Sequence, residues 1–137
     1  MADSLRIGIA GLGTVGSSLV RIIQQRSNEL AITCGRAIEI IAVSARDRSR
    51  DRGIDLTGIT WFDTPEQMAA EAEIDVFVEL VGGASGPAKA AVRTALARGL
   101  HVVTANKALL AKHGVELATT AEEKGVLVHR QIRRARH

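Results

Sequence analysis

Short apolar runs alternate with longer stretches of mixed polarity along the chain. Strands that alternate with segments of helical length imply right-handed crossovers and a parallel sheet. We therefore predict an α/β fold in which a doubly wound parallel sheet lies between two layers of helices. The β-branched runs that predict its strands are Leu5–Ala10, Ile38–Ser44, Ile74–Val81, His101–Thr104 and Val126–Val128.

Residues that favour helix ends mark the segments between these strands. Thr64 precedes Pro65, and Gln67 follows three residues after Thr64, a pattern typical of a capped helix start. The other predicted helices are one from Gly16 to Gln25 or onward towards Gly35, Ala88–Arg98 between Pro87 and Gly99, Asn106–Ala111 with Asn106 as its cap, and Gly114–Glu123 before Gly125.

Length and composition favour a single folded domain. The chain has 137 residues, of which 46% are hydrophobic, and this suffices for one buried core. Aromatic residues make up only 2%, so the core must consist of aliphatic side chains and alanine, as is usual in a parallel sheet covered by helices. We predict one domain over residues 1–129 and a disordered basic tail over residues 130–137.

The net charge of +3 comes from the end of the chain. Arg130, Arg133, Arg134 and Arg136 lie within the last eight residues, and without them 14 basic side chains face 15 acidic ones. The remaining body therefore has no broad positive face of the kind that binds a phosphate backbone. We expect no nucleic-acid partner.

Apolar runs are short throughout the chain. None approaches the roughly 20 residues that span a bilayer, and no charged leader precedes Leu5. These features predict a cytoplasmic protein without a membrane partner. The single cysteine, Cys34, can form neither an internal disulfide nor a metal site with a second cysteine, so we expect no bound metal.

The strongest local motif follows the first predicted strand, where Gly11, Gly13 and Gly16 precede a predicted helix. The first glycine permits a tight turn, the second lets the backbone approach a pyrophosphate, and the third allows close packing of helix on strand. The motif predicts a Rossmann-like dinucleotide-binding domain, and the alternative is a purely structural turn. The residues predicted to surround the diphosphate are Gly11, Leu12, Gly13, Thr14, Val15 and Gly16.

The end of the second predicted strand bears on the choice of nicotinamide cofactor. NAD-binding members of this fold usually carry a carboxylate there, whereas this strand ends in Ser44, Ala45 and Arg46. A guanidinium can hold a 2′-phosphate, so we predict a cofactor site at Ser44 and Arg46 and favour NADP over NAD. The arginines that follow, Arg48, Arg50 and Arg52, alternate with Asp47 and Asp51 and are interpreted as a solvated loop.

Small and polar residues follow the third and fourth predicted strands. Gly82 and Gly83 could pass close to a nicotinamide ribose, although a flexible turn explains them nearly as well. Thr104, Asn106 and Lys107 converge at the same edge of the sheet. Lys107 could hydrogen-bond a substrate carbonyl or hydroxyl, but its chemistry alone leaves a surface lysine as an open alternative.

Three segments together resemble homoserine dehydrogenase: GIAGLGTVG at residues 8–16, VELVGG at 78–83 and HVVTANKALLA at 101–111. The last of these is the most specific, and the resemblance covers about residues 5–129. It implies NAD(P)H-dependent interconversion of L-aspartate 4-semialdehyde and L-homoserine, on the route to threonine and methionine.

The resemblance also implies roles for individual residues. Lys107 matches the family's active-site lysine in the cofactor domain, and Arg46 would lie at the adenosine ribose or its phosphate. The remaining residues would lie along the cofactor, Leu12–Gly16 at the diphosphate and Gly82, Gly83, Thr104 and Asn106 at the nicotinamide.

The sequence departs from the family after Val128 and His129. The family continues into a domain for substrate binding and dimerisation, with a second essential lysine and acidic ligands, none of which can be carried over. We therefore expect this chain to be truncated, to bind cofactor and to catalyse little by itself, with self-association through an uncovered apolar face as a further expectation. Two alternatives are a free-standing NAD(P)-binding sensor and another dehydrogenase family with a similar cofactor domain.

Overall fold

The computed structural model describes residues 4–47, 52–83 and 86–130. This part of the chain contains six strands and five helices. In chain order they are β1 (Leu5–Ala10), α1 (Thr14–Gln25), α2 (Ser27–Cys34), β2 (Ile38–Ser44), β3 (Thr60–Phe62), α3 (Pro65–Glu71), β4 (Val76–Glu79), α4 (Pro87–Ala97), β5 (His101–Thr104), α5 (Lys107–Lys124) and β6 (Val128–Arg130).

The strands form one parallel sheet in the order β3-β2-β1-β4-β5-β6. The chain builds outward from β1 through β2 and β3, and then returns to the other side of β1 to add β4, β5 and β6. The strand order therefore reverses between β1 and β4, and this is the point at which doubly wound sheets bind their ligands. The predicted doubly wound parallel sheet is confirmed.

Side chains on the two faces of the sheet form two apolar clusters. One cluster joins the sheet to α3, α4 and α5 and includes Phe77 and Leu96. The other joins the opposite face to α1 and includes Ile9, Val20 and Val78. Successive residues of β4, Phe77 and Val78, thus enter different clusters, as the alternation of side chains along a strand requires. Helices cover both faces, so the three-layer arrangement is confirmed.

The predicted strands agree with the structure at β1, β2 and β5, whose bounds are the predicted ones. The prediction Ile74–Val81 was too long at both ends, and Val126–Val128 lies two residues too early. The prediction missed β3, because its three residues are too few to show an alternation. Residues 131–137, which include Arg133, Arg134 and Arg136, lie outside the described part, so the tail stays a prediction.

Two helix predictions were wrong. The first helix does not continue towards Gly35, because the chain turns at Arg26 and starts α2, which buries no side chain. The segments predicted as Asn106–Ala111 and Gly114–Glu123 form a single helix, α5. A glycine inside a helix costs about 1 kcal/mol. The burial of Leu109 and Leu117, which lie on either side of Gly114, offsets this cost.

The predicted helix caps are confirmed at α3 and α5. The hydroxyl of Thr64 accepts a hydrogen bond from the backbone N–H of Gln67 at 3.1 Å. The side-chain oxygen of Asn106 accepts one from the backbone N–H of Leu109 at 3.0 Å. Both caps satisfy N–H groups that have no partner within their helix.

Candidate cofactor site

The glycine turn leads from β1 into α1 at the point where the strand order reverses. Gly11 has a φ of +101°, which L side chains rarely adopt. A Cβ atom at Gly11 would also lie 2.7 Å from the backbone oxygen of Leu80, just beyond β4. Both the conformation and the packing of this turn therefore require a glycine.

Gly16 lies where the first turn of α1 packs on the glycine turn. A Cβ atom there would lie 1.9 Å from the carbonyl oxygen of Gly11. The hydroxyl of Ser17, the next residue, donates to the carbonyl oxygen of Leu12 at 2.9 Å. The helix is thus held against the turn at a distance that leaves no room for a side chain at Gly16.

Gly13 differs from the other two glycines of the turn. Its φ is −72°, which any residue can adopt, and a Cβ atom there would meet no atom of the described residues within 4 Å apart from those of its chain neighbours. The fold of the chain therefore gives no reason for a glycine at this position. Space in front of the start of a helix is what a bound diphosphate would need. Thr14 and Val15, which open α1, are exposed at the same place.

A cavity of about 630 Å³ lies over the ends of β1, β2 and β4. Its wall contains residues 11–13 of the glycine turn, the end of β2 from Ser44 to Arg46, Arg52, and Pro65 at the start of α3. Leu12 contributes its backbone here, because its side chain is buried in the apolar cluster around α1. The structure therefore brings the predicted residues Gly11, Gly13, Ser44 and Arg46 together at one cavity.

Two polar groups at this cavity bear on its ligand. The Ser44 hydroxyl is buried and has no hydrogen-bond partner within the described residues. Arg46 is exposed at the cavity wall. Such a buried hydroxyl calls for a partner, and a ribose or phosphate oxygen would supply one. Ser44 and Arg46 thus fit the sugar end of a dinucleotide.

Arg52 reaches the same cavity, although the charge alternation indicated a solvated loop there. Its Nε donates to the carbonyl oxygen of Leu12 at 3.2 Å, and its guanidinium lies 5.5 Å from the ring centre of Trp61. The sequence contained no signal for this fold-back, because Arg52 contacts Leu12, which lies 40 positions earlier, and Trp61, which lies nine positions later. Arg48 and Arg50 lie outside the described residues.

A second, smaller cavity of about 100 Å³ lies beside α5 and is lined by Val15, Leu80, Gly82, Ala105 and Asn106. The side-chain amide of Asn106 donates to the carbonyl oxygen of Gly83, so the loop after β4 is tied to the start of α5. Thr104 is fully buried, and its hydroxyl donates to Glu79. The predicted residues Gly82, Gly83, Thr104 and Asn106 therefore form one connected group beside Val15.

Glu79 was not among the predicted site residues. It is the last residue of β4, is fully buried, and accepts hydrogen bonds from the Val81 and Gly82 N–H groups as well as from Thr104. The available signal was an acidic residue at the end of an otherwise apolar strand. Such a residue is almost never fully buried unless its oxygens are hydrogen-bonded.

Lys107 is the first residue of α5 and is exposed. Its side chain forms no hydrogen bond or ion pair with another described residue, and it is not in the wall of either cavity. Its backbone follows directly on Asn106, whose side chain is fixed by the cap and by Gly83. The structure thus places Lys107 next to a residue of the smaller cavity, with an exposed side chain that does not itself line this cavity.

Comparison with known proteins decides the family. A family model described as the NAD-binding domain of homoserine dehydrogenase matches residues 11–130. The chain belongs to the homoserine dehydrogenase family. The alternative of another dehydrogenase family is therefore excluded, and the NAD(P)-binding domain predicted from the glycine turn is confirmed.

Relatives of the chain within this family come from several bacteria. Homoserine dehydrogenase of Pseudomonas aeruginosa is 43% identical over 126 residues, which cover 90% of this chain and 28% of that protein. Homoserine dehydrogenase of Mycobacterium tuberculosis is 40% identical over 126 residues, with the same coverage of 90% and 28%. The chain thus spans less than a third of the length of these relatives.

Solved homoserine dehydrogenase structures share the fold. The Staphylococcus aureus enzyme at pH 6.0 aligns with a TM-score of 0.85 and 34% identity, over 96% of this chain and 33% of that one. A hyperthermophilic archaeal homoserine dehydrogenase mutant in complex with NADPH aligns with a TM-score of 0.71 and 25% identity, over 92% of this chain and 43% of that one.

Among the described residues, no group of three or more His, Cys, Asp or Glu side chains could hold a metal ion. No helix in the described ranges is both long and apolar enough to cross a membrane.

Proposed function

We propose that this chain binds NADP(H) in preference to NAD(H) and forms the cofactor half of a homoserine dehydrogenase. The complete enzyme would interconvert L-aspartate 4-semialdehyde and L-homoserine, in the formation of threonine and methionine. The observation that carries the proposal concerns Gly13, at the start of α1. The packing of the chain does not require a glycine there, and the space in front of it is open.

The diphosphate would lie at residues 12–16. Backbone N–H groups in the first turn of a helix have no partner within the helix, and the helix dipole adds a partial positive charge there. No acidic residue occurs in the first turn of α1, so nothing in that turn opposes an anion. Gly11 and Gly16 would shape the turn, and Gly13 would leave room for the phosphates.

The 2′-phosphate would lie between Arg46 and Arg52. Both arginines belong to the wall of the larger cavity, and guanidinium groups bind phosphate oxygens through paired hydrogen bonds. Ser44 would donate its hydroxyl hydrogen to the adenosine ribose or its phosphate. Asp63 lies on the same cavity, at the turn before α3. Because a carboxylate repels phosphate, we assign the 2′-phosphate to the arginine side.

The nicotinamide end would lie at Gly82, Gly83, Thr104 and Asn106, around the smaller cavity. When bound, the cofactor supplies or accepts a hydride. Lys107 would donate a hydrogen bond to the substrate oxygen and stabilise the negative charge that develops on it. A lysine at the first position of a helix opposes the helix dipole, so stability of α5 does not explain its presence.

A partner surface would lie on the side of β6. Val115 on α5 is 85% exposed and Leu127, next to β6, is 69% exposed. β6 lies at the edge of the sheet that the described residues form, and an edge strand can pair with another chain. We assign this side to contacts with the rest of the enzyme or with a second copy, in a cytoplasmic homo-oligomer.

The role of Lys107 is tested in a hybrid enzyme. The aligned part of the chain, 90% of its length, replaces the corresponding 28% of the Pseudomonas aeruginosa relative, and NADPH consumption with L-aspartate 4-semialdehyde is followed. Lys107→Ala should lower kcat about 100-fold or more and leave the Kd of NADPH nearly unchanged. Lys124→Ala, which removes an exposed lysine at the far end of α5, should leave both unchanged. Undiminished turnover in Lys107→Ala would contradict the assignment.

A further inference from the structure

Glu79 has more hydrogen-bond partners than a residue that only ends a strand would need. Its Oε2 atom accepts from the backbone N–H groups of Val81 at 2.8 Å and Gly82 at 2.9 Å. Its Oε1 atom accepts from the hydroxyl of Thr104. Because the residue is fully buried, these hydrogen bonds take the place of the water that its carboxyl group has lost.

These contacts join the ends of two neighbouring strands. Glu79 and Thr104 lie opposite each other in the register of β4 and β5. The hydroxyl of Thr104 also accepts from the backbone N–H of Asn106 at 3.0 Å. The side-chain amide of Asn106 in turn donates to the carbonyl oxygen of Gly83. The contacts thus close a ring from the end of β4 through β5 and α5 back to the loop after β4.

The loop held in this way has an unusual backbone. Gly82 and Gly83 have φ angles of +91° and +89°, so two consecutive residues lie in a region that favours glycine. Two such glycines give a flexible chain, and flexible segments lose conformational entropy when they are fixed. The N–H groups of Val81 and Gly82, at the start of this segment, donate the two hydrogen bonds to Glu79 Oε2 and so hold it in place.

We infer that Glu79 is a positioning residue that fixes residues 81–83 and Asn106 in the arrangement that receives the nicotinamide end of the cofactor. The inference rests on the proposed function, because it concerns the same site. It differs from a role in folding alone, since a general loss of stability would act on the adenosine end and the nicotinamide end of the cofactor alike.

Glu79→Gln keeps the size of the side chain and changes its hydrogen bonding. If the amide oxygen still accepts from Val81 and Gly82, the amide nitrogen faces Thr104, whose hydroxyl hydrogen then loses its acceptor. In the reverse orientation, the nitrogen faces two N–H donors. Either way at least one buried donor group loses its acceptor. Glu122→Gln, the same change at an exposed position of α5, is the matched control.

The test compares two ligands on the full 137-residue chain. NADPH contains the nicotinamide, and ADP-ribose 2′-phosphate is the same molecule without it. Glu79→Gln should raise the Kd of NADPH about 10-fold and leave that of ADP-ribose 2′-phosphate within about two-fold. Glu122→Gln should change neither. Calorimetric titration measures both ligands in the same way.

Thr104→Val provides a second variant, in which Glu79 remains and its hydrogen bond from the hydroxyl is removed. It should raise the Kd of NADPH more than that of ADP-ribose 2′-phosphate, as Glu79→Gln should. If Glu79→Gln fails to fold, Thr104→Val serves as the test. Equal weakening of both ligands, or unchanged binding of NADPH, would overturn the inference. If the parent chain binds neither ligand, the proposed function falls, and the inference with it.

Discussion

A Cβ atom at Gly16 would lie 1.9 Å from the carbonyl oxygen of Gly11, because the first turn of α1 packs directly on the glycine turn. A contact this short cannot be accommodated without moving backbone. At Gly13, by contrast, no atom of the other described residues, apart from its two chain neighbours, lies within 4 Å of such a Cβ. The packing of the chain therefore requires one glycine of this motif, whereas the role proposed for the other is to leave space for a ligand.

This difference predicts opposite outcomes for two alanine variants. Gly13→Ala should change the free energy of unfolding by less than about 0.5 kcal/mol and weaken NADPH binding about 10-fold or more, because the methyl group occupies the place of the diphosphate. Gly16→Ala should lower the free energy of unfolding by about 2 kcal/mol or more. Urea unfolding and NADPH titration measure the two effects. The reverse pattern would contradict the assignment of these glycines.

Arg46 should determine the choice between the two nicotinamide cofactors. Arg46→Ala removes charge-assisted hydrogen bonds to the 2′-phosphate, so the Kd of NADPH should rise about 10-fold while that of NADH stays nearly constant. Lys124→Ala, which removes one positive charge far from the cavity, is the control. If the ratio of the two Kd values does not change in Arg46→Ala, this arginine does not hold the 2′-phosphate.

The cap of α3 can be tested separately from any ligand. Thr64→Ala removes the acceptor for the Gln67 N–H and should lower the free energy of unfolding by about 1 kcal/mol. Thr64→Ser keeps the hydroxyl and should retain most of that stability. Chemical unfolding of the two variants decides the question, since equal losses in both would show that the hydroxyl does not act as a cap.

Acid should weaken the contact between Arg6 and Asp75. The Arg6 side chain and its backbone N–H both donate to the Asp75 carboxylate, which keeps the pKa of that carboxyl below its ordinary value. The folded state thus binds a proton less readily than the unfolded state, and stability from this source is present near neutral pH. It should be lost as the pH falls below about 4.

The comparison with Asp75→Asn isolates this contribution. The parent chain should be more stable than the variant at pH 6, by about 1 kcal/mol because the site is partly exposed to solvent. The advantage should shrink between about pH 4 and pH 2. An advantage that stays constant over this range would mean that ionisation of Asp75 is not its source.

The sequence was sufficient to predict those features of the fold that depend on residues close together along the chain. The glycine turn, the Thr64 cap and the strand Ile38–Ser44 each have a local pattern, and the structure has all three. The three residues of β3 carry too little pattern, and their pairing to β2 depends on contacts distant in sequence. A glycine at position 114 indicated a helix end, yet burial on both sides of it keeps α5 continuous.

The site was predictable in part for the same reason. Strand ends indicated Ser44, Arg46 and Asn106, because the carboxyl ends of parallel strands meet at one edge. The position of Arg52 could not be predicted, since it depends on the fold-back of a loop onto Leu12 and Trp61. The burial of Glu79 likewise depends on Thr104, which comes from a different strand.

Binding of NADPH and NADH to the 137-residue chain tests the central claim most directly. The ring centre of Trp61, the only tryptophan, lies 5.5 Å from the guanidinium of Arg52, which lines the larger cavity, so we expect its fluorescence to respond to a ligand at the proposed adenosine end. We predict saturable binding of both cofactors at fixed ionic strength, with a lower Kd for NADPH. A chain that is folded by circular dichroism and binds neither cofactor would contradict the account.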